Sequence, residues 1–309
     1  VGVVLVLGVV FEGRAMSALA RCALKTRWRA VALDMDGTTL SSRLTLTPRT
    51  VAAIHRGVVA GLQFVIATGR PVTSLQPIVD TLDLQGPLPA VCFNGACALL
   101  LQSRAAPGKV FFSEHLFADA TAKVLRLCSE QGWCASYVRP LTTFVAPQGE
   151  EQERLLQQFE GLEGLKQQRV VDYSELLAAG ELPLKVVALV NDPEACAAIA
   201  RAQLPAGLVH IIAAEMHVEF LGPNVNKGRA LETVCREHLQ IDLDQVIAFG
   251  DGHNDKEMLQ AVGEGVAMAN AKAALKEVAT RTCSWTNDEE GIARELEAML
   301  EAEVETEAK

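Results

Sequence analysis

Within RAVALDM, residues 29–35, the four positions 30–33 are apolar consecutively and not alternately. A strand with one wet face would alternate, so this run needs cover on both sides, as in a parallel sheet wound with helices. QFVIA at 63–67 and QVIAFG at 245–250 share that texture. Each leads into a stretch with helical spacing. After the first, Thr47 stands where a helix cap belongs and Pro48 where a first turn accepts proline. Val51, Ile54, Val58 and Leu62 then recur at three- and four-residue steps. A second helix is expected over 71–83, bent at Pro77, and others at 226–240, 254–262, 272–280 and 289–300. The fold class is α/β, with a doubly wound parallel sheet as the core.

The texture changes between the two halves. Strand pairs are expected at 91–100 with 108–116, within 134–146 and within 207–222, and a strand at 184–192. Helices at 119–131, 150–161 and 193–203 separate them. Strand pairs alternating with helices predict an α+β cap domain with an antiparallel sheet, residues 89–222, inserted into a core made of 29–88 and 223–309. Residues 1–28 stand apart as a targeting or disordered segment. Their apolar opening of eleven residues is too short to span a bilayer, and 16–29 carries four basic residues and no acid.

A net charge of -10 argues against nucleic acid, because neutralising phosphates takes clustered Lys and Arg. Residues 289–309 hold eight Glu against Arg294 and Lys309, the composition of a solvated helix and tail. The eight cysteines form no C-x-x-C pair, which points to buried free thiols in a reducing compartment. The cytoplasm is the default location, and an organelle is the alternative if the basic stretch is a transit segment. No membrane partner is expected, and the oligomeric state is read as monomer or homodimer.

Ligands of parallel α/β sheets bind outside the carboxyl ends of the strands. Three segments place polar residues at such ends: Asp34 and Asp36, Thr68-Gly69-Arg70, and Asp251-Gly252-His253-Asn254-Asp255. Lys227 opens a helix expected at the same rim. Gathered acids repel one another, and a divalent cation relieves that; clustered oxygen ligands suit Mg²⁺ better than zinc. Such a site suits a phosphate monoester. Thr68, Lys227 and helix-start N–H groups can hold phosphoryl oxygens. One aspartate can attack phosphorus, and a carboxyl two residues on can protonate the leaving alkoxide and then deprotonate water.

At these residues the chain resembles the haloacid dehalogenase superfamily. DMDGT (34–38), ATGR (67–70), Lys227 in NVNKGRAL and GDGHNDKEML (250–259) are similar to its four motifs, in order. More narrowly they resemble the Cof-type phosphatase branch, with an α/β cap between the second and third motifs. The resemblance implies Asp34 as nucleophile, Asp36 as general acid/base, and Thr68 and Lys227 as phosphate binders. It implies Mg²⁺ between the Asp34 carboxylate, the Asp36 backbone carbonyl and Asp251, supported by Asp255 and Asn254. Thr39 departs from the pattern, standing where an apolar residue is common, and His253 fills a variable, solvent-side slot.

Gly69, Arg70, Asn94 and Asn254 complete the candidate substrate contacts. Arg70 reads equally as a surface arginine, and Asn94 as a turn residue beside Gly95. Tyr137 is expected in the core, Arg139 at the surface, and His210, His217 and His238 in structural roles. The function expected is a Mg²⁺-dependent phosphatase acting through an aspartyl-phosphate on a small metabolite, either a sugar phosphate or a nucleotide- or vitamin-related phosphate. The alternatives are a phosphotransferase or phosphomutase of the same superfamily and a catalytically idle binding protein. A 2-haloacid dehalogenase would leave Asp36 and the metal-site acids without a task.

Overall fold

In the computed structural model, Ala30–Leu33 form strand β1, with every residue buried. The structure describes residues 27–307 except 106, 107, 164, 165 and 215, so the expected targeting segment lies almost wholly outside the described residues. The first helix, α1 (Pro48–Val59), starts as its sequence requires, with the Thr47 side chain accepting from the Thr50 amide. Its buried stripe is rotated from the one expected: Thr50, Ala53, Ile54 and Gly57 face inward, whereas Val58 is 38% exposed. Gly57 explains the rotation, because a Cβ there would lie 2.8 Å from the Phe64 ring of β2 (Gln63–Ala67). The small face of the helix packs on the sheet.

The chain continues through α2 (Gln76–Leu82), preceded by a separate short turn, to β3 (Leu88–Cys92). It then folds back as β4 (Cys97–Leu101) and β5 (Val110–Ser113). After the second sheet come α7 (Lys227–Val234), β12 (Val246–Gly250), α8 (Lys256–Ala261), β13 (Glu264–Ala267), α9 (Ala273–Lys276), β14 (Arg281–Thr282) and α10 (Gly291–Glu307). Among the described residues these strands make an eight-stranded sheet, ordered β14-β13-β12-β1-β2-β3-β4-β5. Neighbours from β14 to β3 are parallel, and the last two pairings are antiparallel. α1 packs with α10 and β2, and α7 packs with α8, β3 and β4.

The second sheet is built from β6 (Cys134–Val138), β7 (Thr143–Val145), β8 (Gln168–Arg169), β9 (Lys185–Leu189), β10 (His210–Ala213) and β11 (His217–Leu221), in the order β10-β11-β9-β6-β7-β8. Apart from a short parallel β7–β8 contact its pairings are antiparallel. Its helices are α3 (Ala118–Glu130), α4 (Gly149–Glu163), α5 (Ser174–Ala178) and α6 (Pro193–Gln203). A parallel α/β core with a mostly antiparallel second module is the expected architecture.

One assignment is corrected. The strand pair β4–β5, expected within the inserted module, extends the first sheet instead. β3 is parallel to β2, and its hairpin partner adds an antiparallel edge to the same sheet, so the passage to the second sheet comes after Ser113 and not at 89. We place the module at 114–222. The cysteines among the described residues are free thiols, and no helix among those residues is long and apolar enough to cross a membrane.

Candidate active site

Strand order fixes the site. The chain runs from β1 outward to β3 on one side, and β12 returns on the other, so the switch point lies between β1 and β12. Leu33 pairs with Phe249, and the Asp34 amide donates to the Phe249 carbonyl at 3.1 Å. Asp34 and Asp251 therefore leave neighbouring strand ends, and Thr68 leaves the end of β2 beside them. The turn after Asp34 is closed by Thr39, whose hydroxyl donates to the Asp34 carbonyl at 2.6 Å. Gly37 has φ +72°, and a Cβ there would lie 2.4 Å from Asp251 Oδ2.

Lys227, fully buried, donates from Nζ to Asp34 Oδ1 and to Asp255 Oδ1, both at 2.6 Å. The other oxygen of Asp255 accepts from the amides of Asp251 and Gly252, at 3.0 and 2.9 Å. Thr38 donates to Asp251 Oδ1 at 3.2 Å. Asp34, Asp251 and Asp255 each bring a carboxylate oxygen within 4.8 Å of the others. Three acids against one ammonium leave an excess of negative charge in a buried place. Burial pushes the Asp34 carboxyl up most, Asp255 and Asp251 add to the rise, and Lys227 only partly opposes it, leaving it at about 8. Asp251 is raised too, by burial and then by Asp255. Burial alone would lower Lys227, but Asp255 and Asp34 outweigh it and hold it above its usual range. This uncompensated, all-oxygen donor set fits a hard divalent cation such as Mg²⁺.

Asp36 stands outside the Lys227 cluster. Its carboxylate is gripped by Arg70 through both oxygens, Nε to Oδ2 at 2.7 Å and Nη2 to Oδ1 at 2.6 Å. Arg70 is thus neither a plain surface residue nor shown as a substrate contact: it holds the neighbouring acid. Asp34, Asp36, Gly69, Arg70, Asp251 and Asn254 all line one cavity of about 840 Å³. Thr68 is buried beneath it, its hydroxyl accepting from the Arg70 amide at 3.1 Å.

A family model described as haloacid dehalogenase-like hydrolase matches residues 31–296, nearly the whole described chain. The chain belongs to the haloacid dehalogenase-like hydrolases. An HMP-PP phosphatase from Serratia proteamaculans is 31% identical over 260 residues, covering 81% of this chain and 86% of that one. A 5-amino-6-(5-phospho-D-ribitylamino)uracil phosphatase from Bacillus subtilis is 30% identical over 279 residues, covering 88% and 98%. A haloacid dehalogenase-like hydrolase from Bacteroides thetaiotaomicron shares the fold, with a TM-score of 0.73 at 20% identity, covering 88% and 99%. The Cof-type branch expected from the four motifs is the one these findings support, and the chain is a phosphoric monoester hydrolase of that branch.

In this hydrolase Asn94 lies between the two sheets. It has φ +58°, which asparagine tolerates, and its Oδ1 accepts from Asn254 at 2.9 Å while its Nδ2 donates to Glu219 at 3.4 Å. Glu219 also accepts from Lys185, and His217 Nε2 lies 3.4 Å away. Burial would raise the Glu219 carboxyl, but Lys185 and His217 more than offset it and hold it at about 2. Glu219, Lys185 and His217 all line the cavity, and the sequence reading missed the first two while giving His217 a structural role. A signal existed, since each of the missed pair is a lone charge inside an apolar strand, LKVVALV and HVEFLG. Arg139, expected at the surface, also lines the cavity and pairs with Glu181. Tyr137 is core as expected, fully buried, with its hydroxyl donating to the Glu181 carbonyl at 2.8 Å. His253 is exposed, as its slot implied.

Proposed function

We propose that the chain is a Mg²⁺-dependent phosphatase that hydrolyses a small phosphorylated metabolite through a phosphorylated Asp34. The observation that carries this reading is the Lys227 bridge, which fixes a buried aspartate at the switch point with two further acids beside it. Asp34 and Asp251 would hold the cation, with the backbone carbonyl of Asp36. Asp255, whose two oxygens already accept from Lys227 and two amides, would support it from behind. When bound, the cation offsets the negative charge of the phosphoryl group and of the acids around it.

Lys227 occupies Asp34 Oδ1, leaving Oδ2 to attack phosphorus. As the new O–P bond forms, the bond to the leaving oxygen breaks, and Asp36 in its acid form gives that oxygen a proton. Asp36, now a carboxylate, takes a proton from a water that attacks the same phosphorus, which frees Asp34 and releases inorganic phosphate. Arg70 would orient the Asp36 side chain, and one of the two oxygens it holds in the free protein would have to leave the guanidinium to carry the proton. Lys227, which reaches the site through Asp34 Oδ1, and the amides around Thr68 would hold phosphoryl oxygens.

The substrate class we favour is a nucleotide- or vitamin-related phosphate, ahead of a sugar phosphate. The HMP-PP and aminouracil phosphatases among the relatives support that choice. Phosphate release from a panel of phosphorylated metabolites, with Mg²⁺ and with EDTA, tests the reading. Release that needs the cation and is not diverted to an added sugar acceptor is expected. Equal turnover in EDTA contradicts it.

A further inference from the structure

The turn Phe93-Asn94-Gly95, between β3 and β4, belongs to none of the four motifs, yet it touches three of them. All three residues have positive φ, at +53°, +58° and +104°. For a phenylalanine that is a strained backbone, which persists only where the surroundings over-determine it. Here they do. The Phe93 amide donates to the Arg70 carbonyl and the Asn94 amide to the Thr68 carbonyl, both at 3.1 Å. A Cβ on Gly69 would lie 2.8 Å from Asn94 Oδ1, and one on Gly95 would lie 2.2 Å from the Asn226 carbonyl, directly before Lys227. Asn254, in the 251–255 loop, donates to Asn94 Oδ1 at 2.9 Å.

The other end of the Asn94 side chain reaches the second module. Its Nδ2 donates to Glu219 Oε2 at 3.4 Å. Glu219 is paired with Lys185 of the neighbouring β9, whose Nζ lies 5.6 Å from the centre of the Phe93 ring. A carboxylate only accepts, so Glu219 dictates which way the Asn94 amide points, nitrogen toward the module and oxygen toward Asn254. The two bonds are therefore not independent. Asn254 and Glu219 both line the cavity, and Asn94 does not. It stands behind the wall where the two sheets meet, placed to join them and not to touch a substrate. Asn254 lies between Asp251 and Asp255, and its Oδ1 would be 2.6 Å from a Cβ on Gly252. A shift of Asn254 is thus a shift of the loop that carries both acids.

We propose that Asn94 is a positioning residue that ties the Lys185–Glu219 pair of the second module to the loop bearing Asp251 and Asp255. A change at that pair is then felt as a change in Mg²⁺ affinity. The proposal rests on the metal-dependent reading of the site and adds to it a residue outside the four motifs, acting through Asn254.

The test is Mg²⁺ binding by calorimetry at one fixed pH, without substrate, on the full chain. The forms compared are the unaltered protein, Asn94→Gly, the paired replacement Lys185→Met with Glu219→Leu, and all these changes together. Glycine keeps the positive φ and removes only the side chain. Replacing both members of the ion pair by apolar residues removes the acceptor without stranding a buried charge, and leaves the net charge unchanged. Asn94→Gly should weaken Mg²⁺ binding about threefold to tenfold, the size of one neutral hydrogen bond. The paired replacement should weaken it by about threefold, and the combined form should bind no more weakly than Asn94→Gly alone, because the link is already cut. Affinity within about twofold of the unaltered protein in Asn94→Gly, even with a lowered Tm, or effects that simply multiply in the combined form, would overturn the proposal. Either result leaves Mg²⁺-dependent phosphate release by the unaltered protein, and so the phosphatase reading, intact. Should Asn94→Gly fail to fold, the paired replacement decides alone, and unchanged affinity there overturns the proposal. If the unaltered protein binds no Mg²⁺, the metal-dependent reading fails and the proposal with it.

Discussion

Lys227 spans both halves of the acid cluster, and Asp34 pays the electrostatic cost of the arrangement. With its carboxyl at about 8 in the metal-free fold and near 3.8 in the unfolded chain, Asp34 binds its proton more tightly when folded. Its contribution to stability is therefore full below about pH 4 and is lost as pH rises toward 8. A cation arriving below that pH must displace the proton. Calorimetric titration with Mg²⁺ in buffers of different ionisation enthalpy should show proton release at pH 6 that fades above pH 8, with weaker binding at pH 6 than at pH 8. Proton-neutral binding at pH 6 would contradict this account of Asp34. Arg70 carries a second residue-level prediction. Arg70→Lys keeps the charge but loses the two-point grip on Asp36. It should lower kcat by about tenfold to a hundredfold in steady-state assays, with KM changed less. Asp34, Asp36, Thr68, Lys227, Asp251 and Asp255 were all legible because each stands where an apolar strand ends or a helix begins. The Arg70–Asp36 pairing was not, since the two residues are 34 positions apart and nothing local links them.

Among the elements, the tight turn at 35–39 does the most to place the acids. Gly37 has positive φ and a Cβ-sized space already filled by the Asp251 carboxylate. Gly37→Ala should therefore strain the backbone by about 1–2 kcal/mol and displace Asp251. Calorimetry should show Mg²⁺ affinity reduced about 10–100-fold. Gly95 makes a similar close approach at the start of α7, where a Cβ would fall 2.2 Å from the Asn226 carbonyl. Most elements could be read from the sequence, including α6, whose eleven residues match the expected helix over 193–203. Two details could not. The stripe of α1 is turned by the close fit of Gly57 on Phe64, which spacing of large apolar residues cannot reveal. The β4–β5 hairpin joins the first sheet, and a hairpin's sequence looks the same whichever sheet it extends.

For the molecule as a whole, the cavity is closed on one side by the acids of the parallel sheet and on the other by the second module. Lys185 and Glu219 anchor that second wall, with side chains 8% and 10% exposed. Removing Lys185 leaves buried Glu219 with only the weaker 3.4 Å contacts of Asn94 and His217, so Lys185→Ala should cost about 3 kcal/mol in denaturant unfolding. A cost below about 1 kcal/mol, the size of an exposed pair, would show that the wall is wetter than its burial implies. The central claim, though, is that Asp34 is the nucleophile of a metal-dependent phosphatase. The most direct test is the kcat of Asp34→Asn for phosphate release with saturating Mg²⁺, on a folded sample verified by its Tm. A loss on the order of 10⁴-fold or more is predicted, because removing a nucleophile removes the covalent step itself. Mg²⁺-dependent turnover within about tenfold of the unaltered protein would contradict the account.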